Sequence, residues 1–311
     1  MSYLLIAVGI VLLYLGGEWL VEGAVRLARQ LGLTPLVIGA TVVAFATSAP
    51  ELAATITAAL QGSSALALGN AFGSNIANLG LILGLTALLA PVVAQRHFLR
   101  RELLFMMLAT VIVYPLIFGS VFTLQIGLGV PGGVVLLALL VTFLVVVVRD
   151  PESKDTWEAD PVAPWPSWRI WLALLAGLAG LVIGARALVT GAVDIAASFG
   201  VSERVIGLSL VALGTSLPEL ATSLAAARKK QTDIVLGNVV GSNIFNLLCI
   251  LGITAMVRPI AVESGAVLDY WIMLIISVVA ASALVAGRRI GRGPGIVLLA
   301  SYVGYMVWLF V

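Results

Sequence analysis

The stretch "VVAFATSAPELAATITA", residues 42–58, sets a proline and a glutamate in the middle of an otherwise apolar run. The same arrangement returns as "LVALGTSLPELATSLAA" at 210–226, displaced by 168 residues. Proline cannot donate to the carbonyl four residues back, so Pro50 and Pro218 open the helix at Ala46 and Gly214. Each break is followed by a carboxylate, Glu51 or Glu219, and preceded by two hydroxyls, Thr47-Ser48 or Thr215-Ser216. One turn therefore gathers oxygen donors of three kinds, and it does so twice.

The surroundings of these turns are those of a chain in lipid. Of 311 residues, 61% are hydrophobic and 10% charged, with a mean hydropathy of +1.15. An ordinary soluble domain carries about 25% charged residues. Runs such as "YLLIAVGIVLLYLGG" and "GGVVLLALLVTFLVVVV" approach the roughly 20 residues needed to cross a bilayer as a helix. Alternation with period two, the mark of a membrane barrel, is absent. The start, "MSYLLIAVGI", lacks a basic leader and a small-residue cleavage pattern, so it reads as a retained first helix. Cys249 is the sole cysteine, which excludes an internal disulfide and a thiolate cluster and leaves it as a packed side chain.

Runs and breaks predict ten spans, at 3–27, 34–60, 66–90, 101–120, 126–148, 169–197, 203–228, 233–257, 266–287 and 294–311. One long polar segment, "RDPESKDTWEADPVAPWPSW" (149–168), divides them five and five. Its acidic residues, Glu152, Asp155, Glu158 and Asp160, do not form an EF-hand pattern, and it reads as a solvated linker. Residues 39–92 align without a gap on 207–260, with about half of the positions identical. At the same offset Gly16 and Gly23 meet Gly184 and Gly191. The repeat is thus the half-chain: 1–148, the linker 149–168, and 169–311. Five spans is an odd number, so the second copy enters the membrane from the opposite side. The expected fold is all-α, with ten transmembrane helices as two inverted five-helix repeats and helices 2, 3, 7 and 8 around a central ion site. Transporters commonly place their sites near the bilayer midplane between such repeats.

Basic residues favour cytoplasmic loops. Loops after odd-numbered spans hold fourteen of the seventeen Lys and Arg, leaving Arg186 inside span six and Arg204 and Arg258 on the other face. Both termini are therefore expected outside and the linker in the cytoplasm. The net charge of +2 follows this topology and gives no nucleic-acid patch.

The spans that follow the breaks carry "GNAFGSNIAN" (69–78) and "GNVVGSNIFN" (237–246). Ser74 and Asn78 are four apart and share a helix face, as do Ser242 and Asn246. Gly69, Gly73, Gly237 and Gly241 would let helix backbones approach closely. A charge buried at membrane depth costs at least about 2.5 kcal/mol, and no basic residue lies near either glutamate in spans two, three, seven or eight. The partners of Glu51 and Glu219 must then be each other, water or an imported cation. An all-oxygen set suits hard cations rather than zinc or haem, and the sole histidine, His97, sits in the loop "QRHFLRR" as a solvated residue. Two carboxylates are neutralised by one Ca²⁺, by two Na⁺ or by protons. Competition of such loads at one site gives exchange, with either Na⁺ or H⁺ as the coupling ion. An intramembrane hydrolase lacks a histidine in the membrane, and a passive cation channel would not need the half-site twice in opposite orientations.

At these motifs both halves resemble the α-repeats of the Na⁺/Ca²⁺ exchanger branch of the cation/Ca²⁺ antiporter superfamily, in its prokaryotic ten-helix form. The resemblance implies a secondary antiporter, not an enzyme, that exchanges Ca²⁺ for more than two Na⁺ by alternating access. Such transport is electrogenic, needs no cofactor and no obligatory protein partner, and would extrude calcium across a prokaryotic inner membrane. Carried over by motif, the family's carboxylates fall on Glu51 and Glu219 and its hydroxyl ligands on Thr47, Ser48, Thr215 and Ser216. The third helix supplies Ser74 and Asn78, the eighth Ser242 and Asn246, and backbone carbonyl ligands fall on Ala44 and Ala212. Helices one and six are thought to slide past the rest. Some relatives, including K⁺-dependent exchangers, have aspartate where this chain has Asn246; its absence removes a charge and argues against K⁺ cotransport. Glu18 and Arg186 occupy equivalent positions in spans one and six, where pairing across the pseudo-two-fold would cancel both charges.

Overall fold

A computed structural model of the chain describes residues 1–119, 127–150, 165–199, 212–262 and 265–310. Among the described residues ten long helical segments run in order, besides a short turn at Arg96–Arg100: α1 (Ser2–Leu31), α2 (Pro35–Thr47 and Ala49–Leu60), α3 (Ser64–Leu89), α4 (Glu102–Phe118), α5 (Val130–Arg149), α6 (Ser167–Ser198), α7 (Ala212–Thr215 and Leu217–Arg228), α8 (Thr232–Val257), α9 (Ala266–Gly287) and α10 (Arg292–Phe310). The first part of the seventh predicted span, 203–211, and most of the linker, 151–164, lie outside the described residues.

Local chemistry fixes the ends. Gly32, in the left-handed region at φ 65°, closes α1. Two residues on, Thr34 caps the next helix by accepting the Val37 N–H, and Pro35 fills its first position, where no amide hydrogen is needed. The predicted break in span two lies at Ser48, between half-helices bent by 43°. Two-residue strands join the halves: β1 (Val92–Val93) pairs antiparallel with β4 (Arg289–Ile290), and β2 (Gly127–Leu128) with β3 (Ile260–Ala261). Because β1 precedes α4 and β2 follows it, the two ribbons lie on opposite faces. Yet Val92 and Ile260 are repeat equivalents, so equivalent strands lie on opposite faces, as inversion demands.

Helices α1 and α6 pack antiparallel through glycines seven apart, Gly9 and Gly16 against Gly184 and Gly177. A methyl group on Gly16 would stand 2.8 Å from the Gly177 carbonyl oxygen, a distance that no real Cβ keeps. A methyl group on Gly237 or Gly241 would likewise stand 2.6–2.7 Å from the Leu36 or Ala40 backbone of α2. A methyl group on their equivalents Gly69 and Gly73 would meet nothing within 4 Å among the described residues. Every residue of α8 from 234 to 250 is buried, Cys249 among them, so this helix lies at the centre of the described bundle with its polar side chains facing other helices.

Two expectations are corrected. Glu18 does not pair with Arg186, which is exposed. Its carboxylate instead reaches Arg228 at 3.4 Å and Lys229 at 3.2 Å, because the end of α7, not α6, brings cations beside it. His97 is half-buried in a short helical turn, Arg96–Arg100, rather than freely solvated.

Candidate functional site

The site forms where the two breaks face each other. Ser48 and Ser216 take nearly the same non-helical conformation, φ −82° and ψ 4° against φ −91° and ψ 5°. Pro50 and Pro218 then begin the second half-helices, so Glu51 and Glu219 fall in a first turn, where helix N-termini favour anionic groups. Both glutamates are 1% exposed. Each is held by the other repeat: Ser48 Oγ donates to Glu219 Oε1 and Ser216 Oγ to Glu51 Oε1, each at 3.2 Å. Among the described residues neither glutamate forms an ion pair, so the two carboxylates have no cation from the described protein.

Two further layers repeat the symmetry. Asn70 Nδ2 donates to the Glu51 carbonyl at 3.2 Å and to Thr55 Oγ1 at 2.8 Å. Asn238 Nδ2 matches it on the Glu219 carbonyl at 3.3 Å and Ser223 Oγ at 3.0 Å. Their side-chain oxygens accept across the repeats, Asn238 from Thr47 at 3.1 Å and Asn70 from Thr215 at 3.5 Å. Asn78 and Asn246 sit in π-helical turns, 77–83 and 245–250, that begin at equivalent residues. Such turns often mark functional positions in helices. Asn78 Nδ2 donates to Asn243 Oδ1 and Asn246 Nδ2 to Asn75 Oδ1, both at 3.0 Å.

What remains unmade defines the chemistry. Glu51 Oε2, Glu219 Oε2, Asn78 Oδ1, Asn246 Oδ1 and Ser242 Oγ are buried without a hydrogen-bond partner. Buried polar groups normally find partners, and leaving one without costs about 1–3 kcal/mol, more if charged. Four of these five atoms are acceptors only when the glutamates are ionised, so the deficit is one that a cation relieves. Among the described residues no group of three or more His, Cys, Asp or Glu could hold a metal, so the oxygens beside the two carboxylates are neutral ones.

The structure brings seven of the predicted residues together. Thr47, Ser48, Glu51, Thr215, Ser216 and Glu219 meet at the breaks, and Ser74 joins them with its Oγ 3.4 Å from Ser216 Oγ. Ser242 and Asn246 stand one turn apart on α8. The Ala44 carbonyl accepts the Ser48 N–H at 3.0 Å, and Thr47 Oγ1 lies 3.4 Å from it. Ala212 is the first described residue of α7. Asn70, Asn75, Asn238 and Asn243 were not among the predicted ligands, although each stands in both copies of a duplicated motif.

Comparison with known proteins agrees with this geometry. The sequence profile of the sodium/calcium exchanger proteins matches residues 1–149 and 169–311. The CaxA protein of Alkalimonas amylolytica is 39% identical over 310 residues, covering 98% of this chain and 97% of its own. Sodium/calcium exchanger MaX1 of Methanosarcina acetivorans is 32% identical over 344 residues, covering 99% and 98%. Among solved structures, the sodium-calcium exchanger NCX_Mj soaked with 10 mM Na⁺ and zero Ca²⁺ superposes with a TM-score of 0.86 at 33% identity, covering 98% of each chain. The chain, a ten-helix membrane protein of two inverted repeats, therefore belongs to the sodium/calcium exchanger family and is a cation antiporter, not an enzyme.

Proposed function

We propose that this chain exchanges Ca²⁺ for Na⁺ at the site between the two breaks, with more than two Na⁺ moved per Ca²⁺ and net export of calcium. Glu51 and Glu219 supply the charge. Thr47, Ser48, Ser74, Asn78, Thr215, Ser216, Ser242 and Asn246 supply neutral side-chain oxygens, and Ala44 and Ala212 supply carbonyls. The single observation that carries this reading is the set of buried acceptors, two of them on carboxylates, that no donor of the described protein meets. One Ca²⁺ cancels a formal −2, and a Na⁺ load occupying the same oxygens would displace it. With Asn246 neutral, a third Na⁺ leaves net positive charge on the loaded site, which makes the cycle sensitive to voltage. The two half-sites, approached from opposite faces by inverted repeats, suit alternating access. The proposed orientation places both termini outside and the linker 149–168 in the cytoplasm of a prokaryotic inner membrane.

The test is ⁴⁵Ca²⁺ uptake into proteoliposomes with an outward Na⁺ gradient, an outward H⁺ gradient or neither. Uptake should require Na⁺ inside and should be lost in Glu51→Gln and in Glu219→Gln. It should also run faster at an interior-positive potential, since each cycle carries net positive charge outward. Uptake driven by H⁺ alone would replace the coupling ion, and flux indifferent to both gradients would sink antiport at this site.

A further inference from the structure

We propose a second binding site, for the phosphate headgroup and one acyl chain of an anionic phospholipid, in a groove of about 760 Å³ between the ends of α3, α9 and α10. It is lined by the apolar side chains of Leu89 of α3, Ala283 and Ala286 of α9 and Pro294 of α10, together with Arg289 and Arg292. No acidic side chain lines it. Leu89 is 58% exposed. A groove lined by apolar side chains and two arginines matches the two parts of a lipid, an acyl chain and a phosphate.

Three observations favour a charged lipid over generic contact with the bilayer. First, Arg288, Arg289 and Arg292 are all exposed and, among the described residues, form no ion pair, in contrast to Arg26, Arg101, Arg228 and Lys229, which do. Guanidinium forks bind phosphate oxygens in pairs, so two unpaired arginines in one groove form a phosphate seat. Second, the repeat-equivalent positions of 288, 289 and 292 are Ser120, Val121 and Leu124, so the repeat itself does not call for arginine at these three positions. Third, the β1–β4 ribbon pins Arg289 opposite Val93, so its backbone is fixed in place rather than carried on a free loop. Arg288, beside it, holds a left-handed backbone at φ 49°, a conformation that favours glycine, yet an arginine stands there.

The experiment is native mass spectrometry of the detergent-purified full chain with phosphatidylglycerol, with phosphatidylcholine of the same chain length, or with inorganic phosphate. Three variants are compared: Arg289→Gln/Arg292→Gln, Ala286→Trp to fill the groove with the arginines intact, and Arg186→Gln as a control elsewhere. All four positions are exposed, so folding should persist and is checked by elution and thermal unfolding. Phosphatidylglycerol should remain bound preferentially to wild type and Arg186→Gln. Its affinity should fall about thirtyfold in the double variant, roughly fivefold for each basic residue near a membrane surface, and should also fall in Ala286→Trp. Equal retention of both lipids, unchanged binding in either groove variant, or saturation by inorganic phosphate alone would overturn the lipid site. None of these readouts depends on which ions the chain exchanges.

Discussion

Asn78 and Asn246, which we propose as ion ligands, illustrate how such a ligand would be aimed before any ion arrives. An amide has one acceptor oxygen and two donor hydrogens, and a cation needs the acceptor turned inward. Asn243 and Asn75 achieve this by accepting the amide hydrogens of Asn78 and Asn246 at 3.0 Å, which leaves both Oδ1 atoms without a partner. They are themselves anchored on thioethers, Asn75 on Met273 at 3.5 Å and Asn243 on Met106 at 3.6 Å. Asn75→Leu keeps the volume and removes the acceptor, so Asn246 is free to turn. Groups that orient metal ligands typically contribute 10–100-fold to affinity, and the Ca²⁺ concentration for half-maximal uptake should rise by about tenfold or more. A fall in thermal stability with an unchanged half-maximal concentration would make Asn75 a packing residue only. The glutamates were legible in the sequence because a buried charge beside a proline is anomalous by itself. Asn75 was not, because an asparagine that holds another asparagine has no signature until the helices are placed.

At the scale of elements, the contact of α1 with α6 rests on what is missing from it. Gly177 and Gly180 lie three residues apart on α6, yet the space around them differs. A methyl on Gly177 would meet Leu20 N at 2.7 Å and Gly16 O at 2.9 Å, both backbone atoms that cannot move aside. On Gly180 the nearest atom would be Gly16 Cα at 3.3 Å, a contact that a small shift accommodates. Gly177→Ala should therefore lower stability by about 1–3 kcal/mol, the usual cost of overpacking, while Gly180→Ala should be close to neutral. Thermal unfolding of the two variants in the same detergent checks the order, and equal shifts would show that α1 and α6 separate freely. The glycine pattern and the breaks in α2 and α7 were readable because spacing and proline act locally. The two-residue strands and the π-helical turns were not. Two residues carry no periodicity, and an extra residue in a turn is imposed by packing around Asn78 and Asn246, not by the residues themselves.

For the whole molecule, inversion has a consequence that can be measured from outside. The β1–β4 and β2–β3 ribbons tie each repeat to the other at both membrane faces, and the basic residues crowd on the β1–β4 side: Arg96, Arg100 and Arg101 follow β1, and Arg288, Arg289 and Arg292 flank or form β4. The β2–β3 side has Arg258, which spends its guanidinium on the Leu60 carbonyl at 2.8 Å. Charge of this sign is retained on the cytoplasmic side during insertion, so β1–β4 should face the cytoplasm. An odd number of crossings then separates Ser2 from Asp155, since five helices lie between them. With Cys249→Ala as background, Ser2→Cys in intact cells should react with a membrane-impermeant maleimide, and Asp155→Cys should react only after permeabilisation. The reverse pattern would invert the molecule and put the arginine-rich ribbon, with its lipid groove, on the outer face. Labelling of both in intact cells would be incompatible with five crossings, and with the pairing of inverted halves on which the shared site depends.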